Sequence, residues 1–220
     1  MKTIYFIRHG QSAGNASLLV QQTGDTQLTR RGIAQAKEVA RHLKDLPIEA
    51  IISSTYARAK ATAAELGTAT GLLVEHVELF RERRRPGVQI RRRKAHPSWL
   101  WTQLQLMLFG RRAGYRHSDE ENVDDLLARA NQALALLAAR PEAVIAVFTH
   151  GTFMRSLYAA MTYGEGVTGR TYLAATRHMR IRNTALMVAE HDGTAWSVRI
   201  WNADAREVVP TLGKEGTLPA

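Results

Sequence analysis

Two runs of this chain carry an apolar segment into a histidine and a glycine. The first is Ile4-Tyr5-Phe6-Ile7-Arg8-His9-Gly10-Gln11-Ser12, with Asn15 close behind. The second is Ala143-Val144-Ile145-Ala146-Val147-Phe148-Thr149-His150-Gly151-Thr152. The β-branched and aromatic content of each run reads as a buried strand. In an open α/β sheet, ligands bind beyond the carboxyl ends of the strands. Arg8, His9 and His150 therefore fall at the rim of a crevice. Gly10 has no side chain where the backbone must come close to something. A cation, imidazoles and approaching backbone N–H groups make an oxyanion site, and phosphate fits it.

Arg58 is a further candidate. It follows the strand-like Ile48 to Ile52 and Ser53-Ser54-Thr55, and opens an alanine-rich helix. A cation at a helix N-terminus works against the dipole, unless a bound anion neutralises it there. Taken singly, Arg58 reads as a solvent-exposed arginine and His150 as a hydrogen-bonded residue at a strand end. Two strand-histidine-glycine-helix units in one chain favour a site.

The elements that position these residues follow from periodicity. Thr29 is a helix N-cap, and Ile33, Ala36, Val39, Ala40, Leu43 and Leu46 recur at helical spacing up to Pro47. Val74 to Leu79 reads as another strand or extended approach. His96 to Gly114 reads as a helix bearing Trp99, Trp101, Leu104, Met107, Leu108 and Phe109. Ser118-Asp119-Glu120-Glu121 reads as a capped start for a helix running to about residue 139. A helix is expected over 153–161. Arg180 to Glu190 and Trp196 to Trp201 read as two strands joined by the hairpin signal His191-Asp192-Gly193-Thr194. The tail after Asn202 is expected to be irregular.

Arg8-His9-Gly10-Gln11-Ser12 followed by Asn15 resembles the signature of the histidine phosphatase superfamily, the phosphoglycerate mutase-like fold. The Asp25-to-Ala36 stretch (Asp-x-x-Leu-Thr-x-x-Gly-x-x-Gln-Ala), the Ser-Ser-x-x-x-Arg-Ala-x-x-Thr-Ala run through Arg58, the second histidine run and Asn183-Thr184 are also similar to family patterns. The resemblance implies a three-layer α/β/α sandwich with a mostly parallel central sheet. It implies one domain over 1–220 with a small helical cap inserted at about 83–120, where residues 88 to 118 match no family pattern. It implies His9 as nucleophile, with Arg8, Asn15, Arg58 and His150 on the phosphoryl group, supported by Gly10, Gln11, Ser12 and Gly151. An acid after a leucine-containing segment is the family's proton donor. Glu82 takes that role, with Glu78 the runner-up and Glu75 also on this approach. Glu82 is expected to face the phosphate while Arg83 to Arg85 face elsewhere.

The implied reaction is hydrolysis of a phosphomonoester. Neutral His9, its pKa lowered by neighbouring arginines, attacks phosphorus. Glu82 protonates the leaving alkoxide and then helps water hydrolyse phosphohistidine. The arginines supply the positive charge, so neither metal nor cofactor is expected. A phosphoglycerate-type mutase is the first alternative. Family mutases carry an aromatic between the Ser12 and Asn15 positions and a tryptophan in the next loop. This chain has Ala13-Gly14 and Thr23-Gly24-Asp25 instead, with Gln21 or Gln22 as a substrate contact. A non-catalytic phosphate- or nucleic-acid-binding module is the second, disfavoured because binding needs no nucleophile.

Composition sets the outer bounds. The chain has 220 residues, 45% of them hydrophobic, enough for one α/β domain with a full core. With no cysteine, disulfides, thiol nucleophiles and thiolate metal sites are excluded. A net charge of +10 favours an acidic substrate or partner. Residues 81 to 94 concentrate seven arginines ahead of Lys94. They read as a solvated block or as a basic rim that recruits a polyanion. Aromatics are missing from the block, which argues against a single-strand stacking platform; nucleic acid is a possible partner but not the favoured one. The partner expected is a small phosphorylated substrate, and the oligomeric state is left open. No run approaches the ~20 apolar residues of a membrane helix. No signal-peptide region follows Met1-Lys2, so a cytoplasmic protein is expected.

Overall fold

The computed structural model describes residues 1–17, 23–87, 96–109, 112 and 114–211. The Gln21 and Gln22 candidates, Arg91 to Lys94 and the end of the tail lie outside the described residues.

The centre of the molecule is strand β1 (Lys2–Arg8). Its alternating side chains feed two cores. Ile4 and Phe6 join one cluster, and Tyr5 and Ile7 join another on the opposite face. A strand covered on both sides must be apolar throughout, which is why the run lacks a polar alternation. The sheet also contains β2 (Ala50–Ser53), β3 (Val74–His76), β4 (Val144–Thr149), β5 (Leu186–His191) and β6 (Trp196–Ala203). Its order is β3-β2-β4-β1-β5-β6. Strands β1 to β4 are mutually parallel, β5 runs antiparallel to β1, and β6 runs antiparallel to β5.

Helices cover both faces, giving the expected three layers. Helices α2 (Arg30–Leu43), α3 (Ala57–Thr70) and α8 (Ala205–Val208) supply one core, through Val39, Leu43, Ala63, Leu66 and Val208. Helices α5 (Val123–Ala139), α6 (Gly151–Tyr163) and α7 (Gly169–Thr176) supply the other, through Leu126, Leu134, Phe153, Leu157 and Tyr172. The short α1 (Ala13–Ala16) follows β1, and α4 (Pro97–Phe109) precedes α5. The Thr29 cap holds as read: its side chain accepts from the Gly32 N–H at 3.1 Å.

Several boundaries differ from the sequence reading. Helix α5 starts at Val123 with Asn122 as N-cap, not at Ser118. The buried Glu120 carboxylate instead collects the His117 and Ser118 N–H groups in a local turn. Strand β5 starts at Leu186 rather than Arg180, because Thr184 sits at φ 58° and interrupts extended backbone. Strand β3 stops at His76, and Glu78–Phe80 form a 3-10 turn. The chain after Asn202 is not irregular throughout, since Asp204 caps α8. Among the described residues, no helix is long and apolar enough to cross a membrane.

Candidate active site

The register of β1 and β4 brings the two histidines together. Arg8 pairs with Thr149, so His9 and His150 leave the sheet side by side. Their ring centroids are 5.1 Å apart. The His9 N–H donates to the Thr149 carbonyl at 3.0 Å, fixing that exit.

His9 is almost wholly buried, at 3% exposure. Its Nδ1 lies 2.7 Å from the Gly10 carbonyl, which can only accept. The proton is thereby assigned to Nδ1, leaving a lone pair on Nε2. Arg58 Nε donates to that Nε2 at 3.1 Å. Burial first, then the Arg58 and Arg8 charges, push the imidazole well below the ordinary histidine range, with only the Gly10 carbonyl acting against them. The sequence reading named the arginines as the cause; desolvation is the larger one.

Close packing holds the loop after His9. A Cβ on Gly10 would fall 2.5 Å from the Gly32 carbonyl oxygen, and one on Gly32 would fall 2.0 Å from that of Gln11. The loop and the first turn of α2 interlock only because both are glycine. Gln11 N–H donates to Gln35 Oε1 at 2.8 Å, and Thr29 Oγ1 donates to Gln11 Oε1 at 2.9 Å. Ser12 caps α1 in a capping box with Asn15. Asn183 Nδ2 ties this loop from the other side, donating to the His9 carbonyl at 3.0 Å and to Asn15 Oδ1 at 3.4 Å.

Arg58 stands in the first turn of α3, whose N-cap Tyr56 offers no side-chain hydrogen bond. The guanidinium is 4% exposed and lies 5.0 Å from the Tyr56 ring centroid. It also donates to the Thr23 carbonyl at 3.1 Å. His150 is fully buried and its Nε2 meets Ser54 Oγ at 2.8 Å. Burial first, then the positive charge of Arg58, hold it well below the ordinary histidine range. Two buried polar atoms here have no hydrogen-bond partner, Arg8 Nε and His150 Nδ1. Buried unsatisfied groups are costly unless a ligand completes them. A Cβ on Gly151 would sit 3.3 Å from Arg8 Nε, so the glycine gives this guanidinium its room.

Glu82 is 6% exposed and caps the N-terminus of α6 from outside. Its Oε2 accepts from Thr152 N–H at 3.2 Å, and Oε1 from Phe153 N–H at 3.2 Å and Arg83 N–H at 2.9 Å. The runner-up Glu78 is largely exposed, bonded to Thr55 Oγ1 and paired with Arg81 at 3.1 Å. Glu75 is paired with Arg140 at 2.7 Å.

A cleft of about 360 Å³ is lined by Arg8, Asn15, Glu82 and Gly151 together with Arg85, Arg155 and Arg180, whereas the buried His9, Arg58 and His150 do not line it. Of the arginines expected to face elsewhere, Arg85 lines this cleft. Arg83 does turn away, its Nε donating to the Glu121 carbonyl at 2.8 Å. Sequence reasoning missed Arg155 and Arg180. Arg155 had a signal, since it stands one helical turn past Gly151 and Thr152, on the same face. Arg180 had none. A larger cleft of about 640 Å³ lies between α2, α8 and residues 182–185, is lined also by Gln11, and shares Arg8 with the smaller one. It holds neither Glu82 nor the α6 N-terminus, both of which line the smaller one. Among the described residues, no group of three or more His, Asp or Glu side chains is arranged to hold a metal ion.

Fold and site together define an α/β protein with paired histidines and arginines at the carboxyl ends of adjacent strands. The chain belongs to the histidine phosphatase superfamily (branch 1), whose family model matches residues 4–204. It is 26% identical over 217 residues to a probable phosphoglycerate mutase GpmB of Erwinia tasmaniensis, covering 97% of this chain and 93% of that one. A mycobacterial glucosyl-3-phosphoglycerate phosphatase structure in complex with VO3 shares the fold at TM-score 0.75 and 23% identity, over 93% of this chain and all of that one. So does an H9A mutant of phosphoserine phosphatase from Entamoeba histolytica in complex with phosphoserine, at TM-score 0.74 and 21% identity, over 92% and 98% of the two chains.

Proposed function

We propose that this protein is a phosphatase that hydrolyses phosphomonoesters through a phosphohistidine on His9. The observation that carries the reading is the setting of His9: buried, its Nδ1 against the Gly10 carbonyl, its Nε2 held by Arg58 beside Arg8, and its pKa lowered by burial and those charges so that the neutral imidazole is favoured. A phosphate dianion gives Arg58 a better acceptor than an imidazole nitrogen, and frees Nε2 for in-line attack. Arg8 Nε gains an acceptor in the same step. Asn15 borders the phosphate, and His150 stands behind it, held by Ser54. The ester P–O bond breaks as the N–P bond forms, and Glu82 delivers a proton to the departing alkoxide. Water then attacks phosphohistidine, gives its proton to Glu82 and releases phosphate from His9. The cationic side chains offset charge on the equatorial oxygens throughout.

The named activities of the structural neighbours support hydrolysis, whereas the named activity of the curated relative supports phosphoryl return to a sugar acid. Ala13-Gly14, in place of an aromatic, favours hydrolysis. In this reading the insertion at about 83–120 selects the substrate. Its two ends are tied by Glu121 N–H to the Arg84 carbonyl at 3.1 Å and Gly87 N–H to Asp119 Oδ1 at 2.8 Å. Leu100, Trp101, Leu104 and Leu108 of α4 are exposed.

The test is phosphate release from a panel of phosphomonoesters in excess chelator, alongside interconversion of the two phosphoglycerates. Release that His9→Ala abolishes is the expected result. Interconversion without net release would make the protein a mutase. Neither activity in the wild type would overturn the enzyme reading.

A further inference from the structure

The strand-to-cap segment that carries Glu82 is fastened by a buried ion pair on the other side of it. Arg129 and Glu121, both on or beside α5 and 8% and 5% exposed, form a bidentate pair with both N···O distances 2.7 Å. The remaining donors of Arg129 reach back to the segment. Nη1 donates to the Leu79 carbonyl at 2.6 Å and the Arg81 carbonyl at 2.8 Å. Glu121 does the same from its side, accepting from the Arg84 N–H at 3.3 Å and from Arg81 Nη1 at 3.3 Å. The two charges thus grip the backbone on both flanks of Glu82. The Arg129 guanidinium also lies 4.2 Å from the Phe153 ring centroid, and the Phe153 N–H is one of the donors to the Glu82 carboxylate. Both the residue and its anchor point are held by one group.

We propose that the Glu121–Arg129 pair is a positioning device for Glu82, setting the carboxyl group where it meets the leaving oxygen. This rests on the phosphatase reading above. A buried ion pair adds little net stability over apolar residues of similar volume, because desolvation offsets the attraction. Its planar fork can hold a carboxylate and two carbonyls at once, which a lysine ammonium on a flexible stem cannot. Glu121 and Arg129 touch no reacting atom; they act through Glu82.

The experiment uses leaving-group dependence. A general acid matters for an alkyl ester such as glycerol phosphate, whose alkoxide is a poor leaving group. It matters little for 4-nitrophenyl phosphate, whose phenolate departs unaided. The variants are Arg129→Lys, which keeps the charge, and the apolar double replacement Glu121→Leu with Arg129→Met. kcat/KM is measured for both esters, since it reports the step in which the ester bond breaks. The expected result is a loss at least tenfold greater for the alkyl ester than for the aryl ester, with the melting temperature of Arg129→Lys within a few degrees of wild type. Equal losses on both esters, or none, would overturn the proposal. If the double replacement fails to fold, Arg129→Lys alone decides. If the wild type hydrolyses neither ester, the phosphatase reading fails separately, and a crystal structure of Arg129→Lys judges the device itself. Glu82 still bonded to Thr152 and Phe153 N–H groups would overturn it, and Glu82 displaced from them would support it.

Discussion

Burying His9 and His150 uncharged has a consequence for stability that can be worked from their environments. Both imidazoles are driven well below the ordinary histidine range, chiefly by burial and then by Arg58. In the unfolded chain each titrates near 6.5. Below that pH the unfolded state binds protons that the native state refuses, so stability falls as pH falls. Between pH 7.5 and 5.5, one such histidine costs about 1.4 kcal/mol, and the pair about 2.7 kcal/mol. Carboxylates held low, such as Glu142 and Asp204 at about 2, lose their contribution only as pH falls below the ordinary carboxylate range, outside this window. The assay is urea unfolding in phosphate-free buffer at pH 7.5, 6.5 and 5.5, for wild type and His150→Gln. Contributions from the other histidines cancel in the difference. The pH-dependent loss should shrink by about 1.4 kcal/mol in the variant. An identical pH slope in both proteins would refute the argument that His150 is held neutral.

Two further outcomes follow from the packing. Gly32→Ala places a methyl group 2.0 Å from the Gln11 carbonyl oxygen, so the loop carrying His9 must move. A stability loss of about 1–3 kcal/mol is expected from the overpacking, with a larger fall in kcat than in KM for any ester turned over. Asn122→Ala removes the side chain that accepts from Asp125 N–H at 2.8 Å at the start of α5. It should lower stability by about 1 kcal/mol in chemical unfolding while leaving the His9 environment intact by NMR.

Much of this architecture was legible in the sequence because the informative residues are local. Ile4 to Ile7 and Val144 to Phe148 are buried on both faces, and strands of that kind announce themselves as unbroken apolar runs. The residues after them then fall at the rim by chain direction alone. Glu82 was legible only through resemblance, and its surroundings were not legible at all. Its ligands come from the α6 N-terminus, and its fastening from Arg129, 47 positions along the chain. Nothing in a single sequence marks that pairing. The early start assigned to α5 has a plain cause. Ser118 and Asn122 are both good caps, and the buried Glu120 settles the choice by taking the N–H groups a Ser118 cap would have left free. Residues 180–185 misled for a different reason. Thr184 has high strand propensity but sits at φ 58°, where its N–H meets the Arg8 carbonyl at 3.0 Å. Tertiary pairing with β1 overrode local preference there.

The central place of β1 governs how the molecule comes into being. Its two neighbours in the sheet, β4 and β5, begin at Val144 and Leu186. β1 therefore waits for the last third of these 220 residues before either of its edges is satisfied. Such distant partners make for slow assembly. Until then Ile4 to Ile7 is an apolar strand with open edges, a template for pairing with other chains. Fragments that stop before Val144 should aggregate rather than form a smaller folded unit, and the histidine cluster should appear only late in refolding, when β1 and β4 come into register.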